Sequence, residues 1–217
     1  MRTRHITGSL LVLLLLSCSM GTQEIRRPAT DADDATAGAC DGDGNRLTSS
    51  AMANFHDAGG DGTSSTIEGA SSPTTDRSLW RQRKFTAWAA ASGSYSALDL
   101  KVRTAFDSLP DVPVGGEHGK AVVQYSTDGG TTWTVIRSAA ADWAATTDSV
   151  SLSVGQSLAL LQVRVCAVGI PDSGEAGSGT LTGYDIRTEG TLSGAGVGPR
   201  RHAIITEVLR PREEVQR

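Results

Sequence analysis

Residues 81–189 predict an all-β fold, an antiparallel sandwich or barrel, and three observations carry that prediction. Short apolar runs alternate with polar residues at the two-residue period of a strand. Turn chemistry separates the runs, at Pro110-Asp111, Gly115-Gly116, Asp128-Gly129-Gly130, Gly155-Gln156 and Pro171-Asp172-Ser173-Gly174. No stretch sustains a helical stripe. Many short strands, each with one apolar face to bury, are accommodated by layered or closed antiparallel sheets.

The elements follow in order. Arg81 to Ala89, with Phe85 and Trp88, makes a first strand. Leu98, Leu100 and Val102 alternate with Asp99, Lys101 and Arg103, as a half-buried strand requires. Ala121, Val123 and Tyr125 alternate with Val122 and Gln124, and Thr134 to Ile136 supplies the returning strand. Ser138 to Ala145, alanine-rich around Trp143, predicts a helical turn. Val150, Leu152 and Val154 alternate with Ser151 and Ser153. Leu161, Val163 and Val165 face one way, with Gln162, Arg164 and Cys166 opposite. Tyr184, Ile186 and Thr188 alternate with Asp185 and Arg187. Ala203 to Leu209 predicts one more strand or a short helix, which Pro211 ends.

The chain has 217 residues and a formal charge of −4. Without Arg2 and Arg4 of the leader, 18 basic residues stand against 24 acidic ones, a net −6. That mild acidity offers no electrostatic footprint for nucleic acid. Four segments follow from composition: a signal peptide over 1–17, a flexible linker over 18–45, a β-sandwich over 46–195 and a C-terminal tail over 196–217. The linker has no apolar period (Asp31-Ala32-Asp33-Asp34-Ala35-Thr36-Ala37-Gly38) and as a coil spans roughly 30 Å.

The leader is a short basic start, then Leu10-Leu11-Val12-Leu13-Leu14-Leu15-Leu16-Ser17-Cys18. The apolar run is too short to span a bilayer and has the layout of a secretory signal. Leu15-Leu16-Ser17-Cys18 resembles the lipobox of bacterial lipoproteins, although Leu16 stands where that family more often has a smaller residue. The resemblance implies a diacylglyceryl group on the Cys18 thiol, hence an exported protein anchored to the cell envelope through its lipid. Ser19 after the cysteine implies the outer membrane in a Gram-negative cell. The alternative is an ordinary cleaved signal and a secreted product. Lipidation of Cys18 leaves Cys40 and Cys166, which an oxidising compartment can pair.

Ser126-Thr127-Asp128-Gly129-Gly130-Thr131-Thr132-Trp133 resembles the Asp-box, the S-x-D-x-G-x-T-W hairpin of sialidases and related β-proteins. Its fixed positions here are Ser126, Asp128, Gly130, Thr132 and Trp133. In that family the box is structural and recurs in each propeller blade. A single copy fits the jelly-roll module of reelin-like repeats better. The order along 121–190 is similar: strand, Asp-box hairpin, Leu161 to Val165, then Gly183 to Ile186. That resemblance implies a jelly-roll-like β-sandwich used for adhesion or ligand binding.

Candidates for chemistry are few. Asp41, Asp43 and Asn45 have the D-x-D-x-N start of a calcium loop, but Arg46 and Met52 stand where an EF-hand needs glycine and an acid. Calcium is the one cofactor with any sequence basis, and none is required. His5, His56, His118 and His202 lie outside metal-ligand spacing. His56-Asp57 places two useful groups side by side, yet neighbours on an extended chain point apart. Trp80, Arg81, Arg83 and Trp88, with Trp143 elsewhere, are the candidate ligand-binding residues, suited to an anionic sugar or polymer. The function these features predict is a lipid-anchored, non-catalytic envelope module that binds a carbohydrate, polymer or protein. The alternatives are a structural subunit of the envelope or an appendage, and a glycosidase-like enzyme.

Overall fold

The computed structural model describes residues 22–35, 46–56, 64–72, 77–109, 119–170 and 177–193. Cys18, Cys40, Asp41, Asp43, Asn45, Asp57, His118 and the segment 203–209 lie outside these residues. The described chain is all-β: two antiparallel five-stranded sheets packed face to face. The strands are β1 (Gln23–Arg26), β2 (Pro28–Asp33), β3 (Ser65–Ser72), β4 (Arg77–Trp88) and β5 (Tyr95–Leu109). They continue with β6 (Gly119–Ser126), β7 (Thr134–Ala139), β8 (Trp143–Ser151), β9 (Gln162–Gly169) and β10 (Ser178–Leu192). One four-residue helix, α1 (Ala53–His56), lies among them.

The first sheet runs β2-β4-β9-β6-β7, and the second places β8 and β5 on one side of β10 with β3 and β1 sharing the other. Strand β3 joins the layers, since Ser65 to Ala70 pair with β10 while Ala70 to Ser72 pair with β4. Strands β1 and β2 cross between layers in the same region, pairing with β10 and β4 in turn. Strand-switching of this kind closes one side of a sandwich. The other side ends in β7 and β8, whose outer edges pair with no described strand.

Strand pairing also defines two ends. At the proximal end lie Thr22, whose carbonyl accepts the Leu192 amide (2.9 Å), the start of β5, the end of β8 and the β6–β7 turn. At the distal end β3, β5, β7 and β9 finish, and β4, β6, β8 and β10 begin.

Alternation builds the core as the sequence predicts. Phe85, Ala121, Val123, Val163, Val165 and Ala167 of the first sheet share one buried cluster with residues of the second, among them Leu100, Val102, Phe106, Leu181 and Ile186. Phe55 of α1 adds an edge-on contact to Phe85, with centroids 4.9 Å apart. Burying a ring of this size contributes about 1.5–3 kcal/mol. It fits because Gly183 lies beneath it; a Cβ there would come 2.5 Å from the ring.

Three elements differ from the sequence reading. Residues 23–33, expected to be linker, form two strands. Their acidic side chains, which suggest solvation, are instead paired: Asp31 with Arg83 and Asp33 with Arg46. Residues 138–145 hold no helical turn. The chain ends β7 at Ala139 and begins β8 at Trp143, because ladder pairing with β6 and β5 overrides alanine's helical preference. The strand expected through Val154 ends at Ser151. Leu152 is nevertheless buried, its amide bonded to the Leu98 carbonyl (2.8 Å), before the chain turns at Val154-Gly155.

Candidate functional site

One polar constellation is the turn 126–133 at the proximal end. Gly129 and Gly130 adopt φ of 76° and 92°, which β-carbon sterics reserve for glycine. The Asp128 carboxylate accepts hydrogen bonds from Ser126 Oγ (2.7 Å), the Thr131 amide (3.0 Å), the Thr132 amide (2.9 Å) and Thr132 Oγ1 (2.6 Å). The Thr132 hydroxyl and amide, then Ser126, hold its pKa well below the usual carboxylate range, against a smaller opposing effect of desolvation. These bonds occupy the lone pairs of both oxygens, so the turn itself consumes the acid. Trp133 Nε1 donates to the Gly130 carbonyl (3.0 Å), and the Arg164 guanidinium lies 4.1 Å above the Trp133 ring. Gly129 and Gln156 tie the turn to the 152–161 segment, through bonds to Leu160 O (3.0 Å) and Thr127 O (2.8 Å).

A second polar cluster lies inside the sandwich. Asp31 accepts from Arg83 Nε and the Met52 amide (2.9 Å), and His56 Nε2 lies 3.1 Å from its other oxygen. Burial raises the Asp31 pKa, but the bonds from Arg83, Met52 and His56, with the Arg83 charge, outweigh it and the net shift is downward. Ser49 is close by, yet its hydroxyl bonds Asp33 (2.7 Å) and the Gln82 carbonyl (2.9 Å) rather than His56. A nucleophile–histidine–acid relay is therefore not assembled by these residues.

The candidate binding residues of β4 do not meet on one exposed face. Trp80 is 7% exposed and packs outside the first sheet with Val122, Cys166 and Val168. Arg81 and Arg83 point to the opposite face, and Arg83 is spent on Asp31. Ala87, at φ 59°, breaks the alternation, so Trp88 enters the main core instead of joining Trp80, and it is 4% exposed. Little of either indole remains for a ligand to stack on.

Trp143 is half-buried at the distal end of β8. It packs on Phe106 (centroids 5.0 Å), and the Arg137 guanidinium lies 5.5 Å from its ring. Arg137 in turn forms a two-point ion pair with Asp148, at 2.8 and 2.6 Å, that bridges β7 and β8 across the open side. Sequence reasoning missed this pair and the Asp31 cluster. Arg83 carried one signal: it shares a face with core Phe85, and a cation there needs a buried acid.

Cys166 is fully buried on the outer face of the first sheet and is disulfide-bonded. Among the described residues no three His, Cys, Asp or Glu side chains converge as a metal site. None of the described helices is long and apolar enough to cross a membrane. No protein-family model matches the chain, and a search of curated proteins finds no match.

Proposed function

We propose that the chain is an exported, lipid-anchored envelope protein whose β-sandwich is a non-catalytic binding module for a carbohydrate, polymer or protein. The disulfide at Cys166 carries the reading, because such bonds persist in oxidising compartments and are rare in the cytosol. On this reading its partner is Cys40. The Asp34 amide bonds the Gln82 carbonyl (3.1 Å) and the Leu47 amide bonds the Trp80 carbonyl (2.8 Å). Asp34 and Leu47 are thus held beside Gln82 and Trp80, which pair with Cys166 and Val168 of β9. Cys40 falls midway between them in the sequence. Cys18 is then the thiol left for the acyl group that its lipobox-like setting calls for.

The 126–133 turn is an Asp-box in a structural role, which supports a jelly-roll kinship. Anchoring gives a weakly binding domain a high effective concentration at the membrane. The distal end, with Trp143, faces away from the anchor and is where this reading puts the ligand. A second reading, an assembly subunit, has its own observation. The nine residues of β8 contain neither Lys nor Pro, and the one charged side chain, Asp148, is turned to Arg137. Such an edge lacks the usual protection against pairing with another strand.

Fractionation of wild type and Cys18→Ala tests the anchor, with a glycan and envelope-polymer array testing the module. Wild type is expected in membranes and labelled by palmitate, the variant released and unlabelled. Membrane retention of an unlabelled variant, or sedimentation as open-ended oligomers with no array ligand, refutes the corresponding half.

A further inference from the structure

We propose that the proximal end of the sandwich rests on the bilayer, with Val154 and Leu160 at the level of the lipid headgroups. The proposal rests on the lipidation of Cys18 and adds an orientation and a contact surface to it.

The length of chain outside the folded layers comes first. Thr22 is already bonded to β10, so only Ser19, Met20 and Gly21 separate it from Cys18. Four Cα steps reach at most about 14 Å. Strand β10 alone has 15 residues, which at ~3.3 Å each is about 50 Å. A leash so much shorter than the domain keeps the Thr22 end near the lipid and lets the distal end stand away from it.

The second observation is independent of the leash. Four large hydrophobic residues are exposed among the described residues: Ile25 (52%), Val135 (52%), Val154 (49%) and Leu160 (48%). All belong to the proximal half. Val154 and Leu160 lie in the loop between β8 and β9, Val135 is the second residue of β7, and Ile25 is in β1, which starts at this end. A soluble surface scatters such residues, whereas an interfacial one gathers them on one side.

The polar groups around them suit a headgroup zone. Asp128 is saturated within its turn, and Glu24 accepts from Ser92 Oγ (3.1 Å), Tyr95 Oη (3.1 Å) and Arg26. Glu24 is thus largely covered, while Asp128 stays exposed and ionised, a charge that a hydrated headgroup layer accommodates. The end also has no cluster of free cations among its described residues, so contact is apolar and insensitive to the fraction of anionic lipid.

The test uses the full chain, matured in its own envelope and checked for the acyl adduct by mass. Val154→Cys, Leu160→Cys and the distal control Ala141→Cys are labelled with NBD under non-reducing conditions. Each is reconstituted in phosphatidylethanolamine–phosphatidylglycerol vesicles, with and without lipid spin-labelled near the headgroup. The expected result is loss of NBD fluorescence at 154 and 160 and no loss at 141, unchanged in vesicles without phosphatidylglycerol. Equal quenching at all three sites in acylated protein overturns the orientation and leaves the anchor standing. Absence of the adduct, with no vesicle association, overturns both.

Discussion

Replacing Asp31 by alanine removes the one acid, among the described residues, that is ion-paired with Arg83 inside the sandwich. Both side chains are about one-tenth exposed. Asp31 also holds the Met52 amide and His56, and so fixes the segment that carries Phe55 into the core. Breaking a buried ion pair by removing one partner costs about 3–5 kcal/mol, because the remaining charge is left without compensation. For a domain of this size each kcal/mol lowers Tm by about 2–4 °C, so Asp31→Ala is expected to melt roughly 10 °C lower. Urea unfolding followed by tryptophan fluorescence measures the loss directly, with the slope unchanged. The double variant Asp31→Leu/Arg83→Met is expected to lose less than Asp31→Ala alone, since neither charge then remains buried. The pH dependence has a defined sign. The Asp31 pKa is lowered in the folded chain, so its contribution is complete above the unfolded value of about 3.9. It is lost as pH falls through the lower folded value. Asp31→Ala lacks that acid-sensitive component. A loss below about 1 kcal/mol, or an unchanged acid profile, would refute the reasoning.

Two further perturbations follow from the same geometry. Gly183→Ala places a methyl group against the Phe55 ring, and the expected cost is about 1–3 kcal/mol in urea unfolding; a neutral result would mean that α1 is not seated on β10. Cys40→Ser frees the Cys166 thiol, so it should gain one alkylation site under non-reducing denaturation and lose roughly 2–5 kcal/mol, while reductant destabilises wild type but not the variant.

Much of the fold was legible because alternation is a strong signal where one face is buried. The runs around Leu100, Val123 and Val165 each sit in the core on the expected side. Strand β2 was not legible, since its ladder is stabilised by Asp31 and Asp33 meeting cations rather than by apolar residues. Hydropathy carries no trace of such a strand. The aromatic-basic stretch at β4 misleads for a related reason: one positive φ at Ala87 sends Trp88 inward, and no residue type announces it. The 126–133 turn was legible in detail because the chemistry that sets it is local, every partner of Asp128 lying within a few residues. The Arg137–Asp148 bridge between β7 and β8 depends on how the two sheets stack, which spacing along the chain does not encode.

The most direct test of an exported, lipid-held sandwich is the intact mass of the protein taken from the membrane fraction, before and after reduction. The account predicts a chain that begins at Cys18, carries a diacylglyceryl adduct with or without a further acyl group, and gains two hydrogens on reduction. A chain cut elsewhere, without acyl mass and with free thiols at 40 and 166, would contradict it.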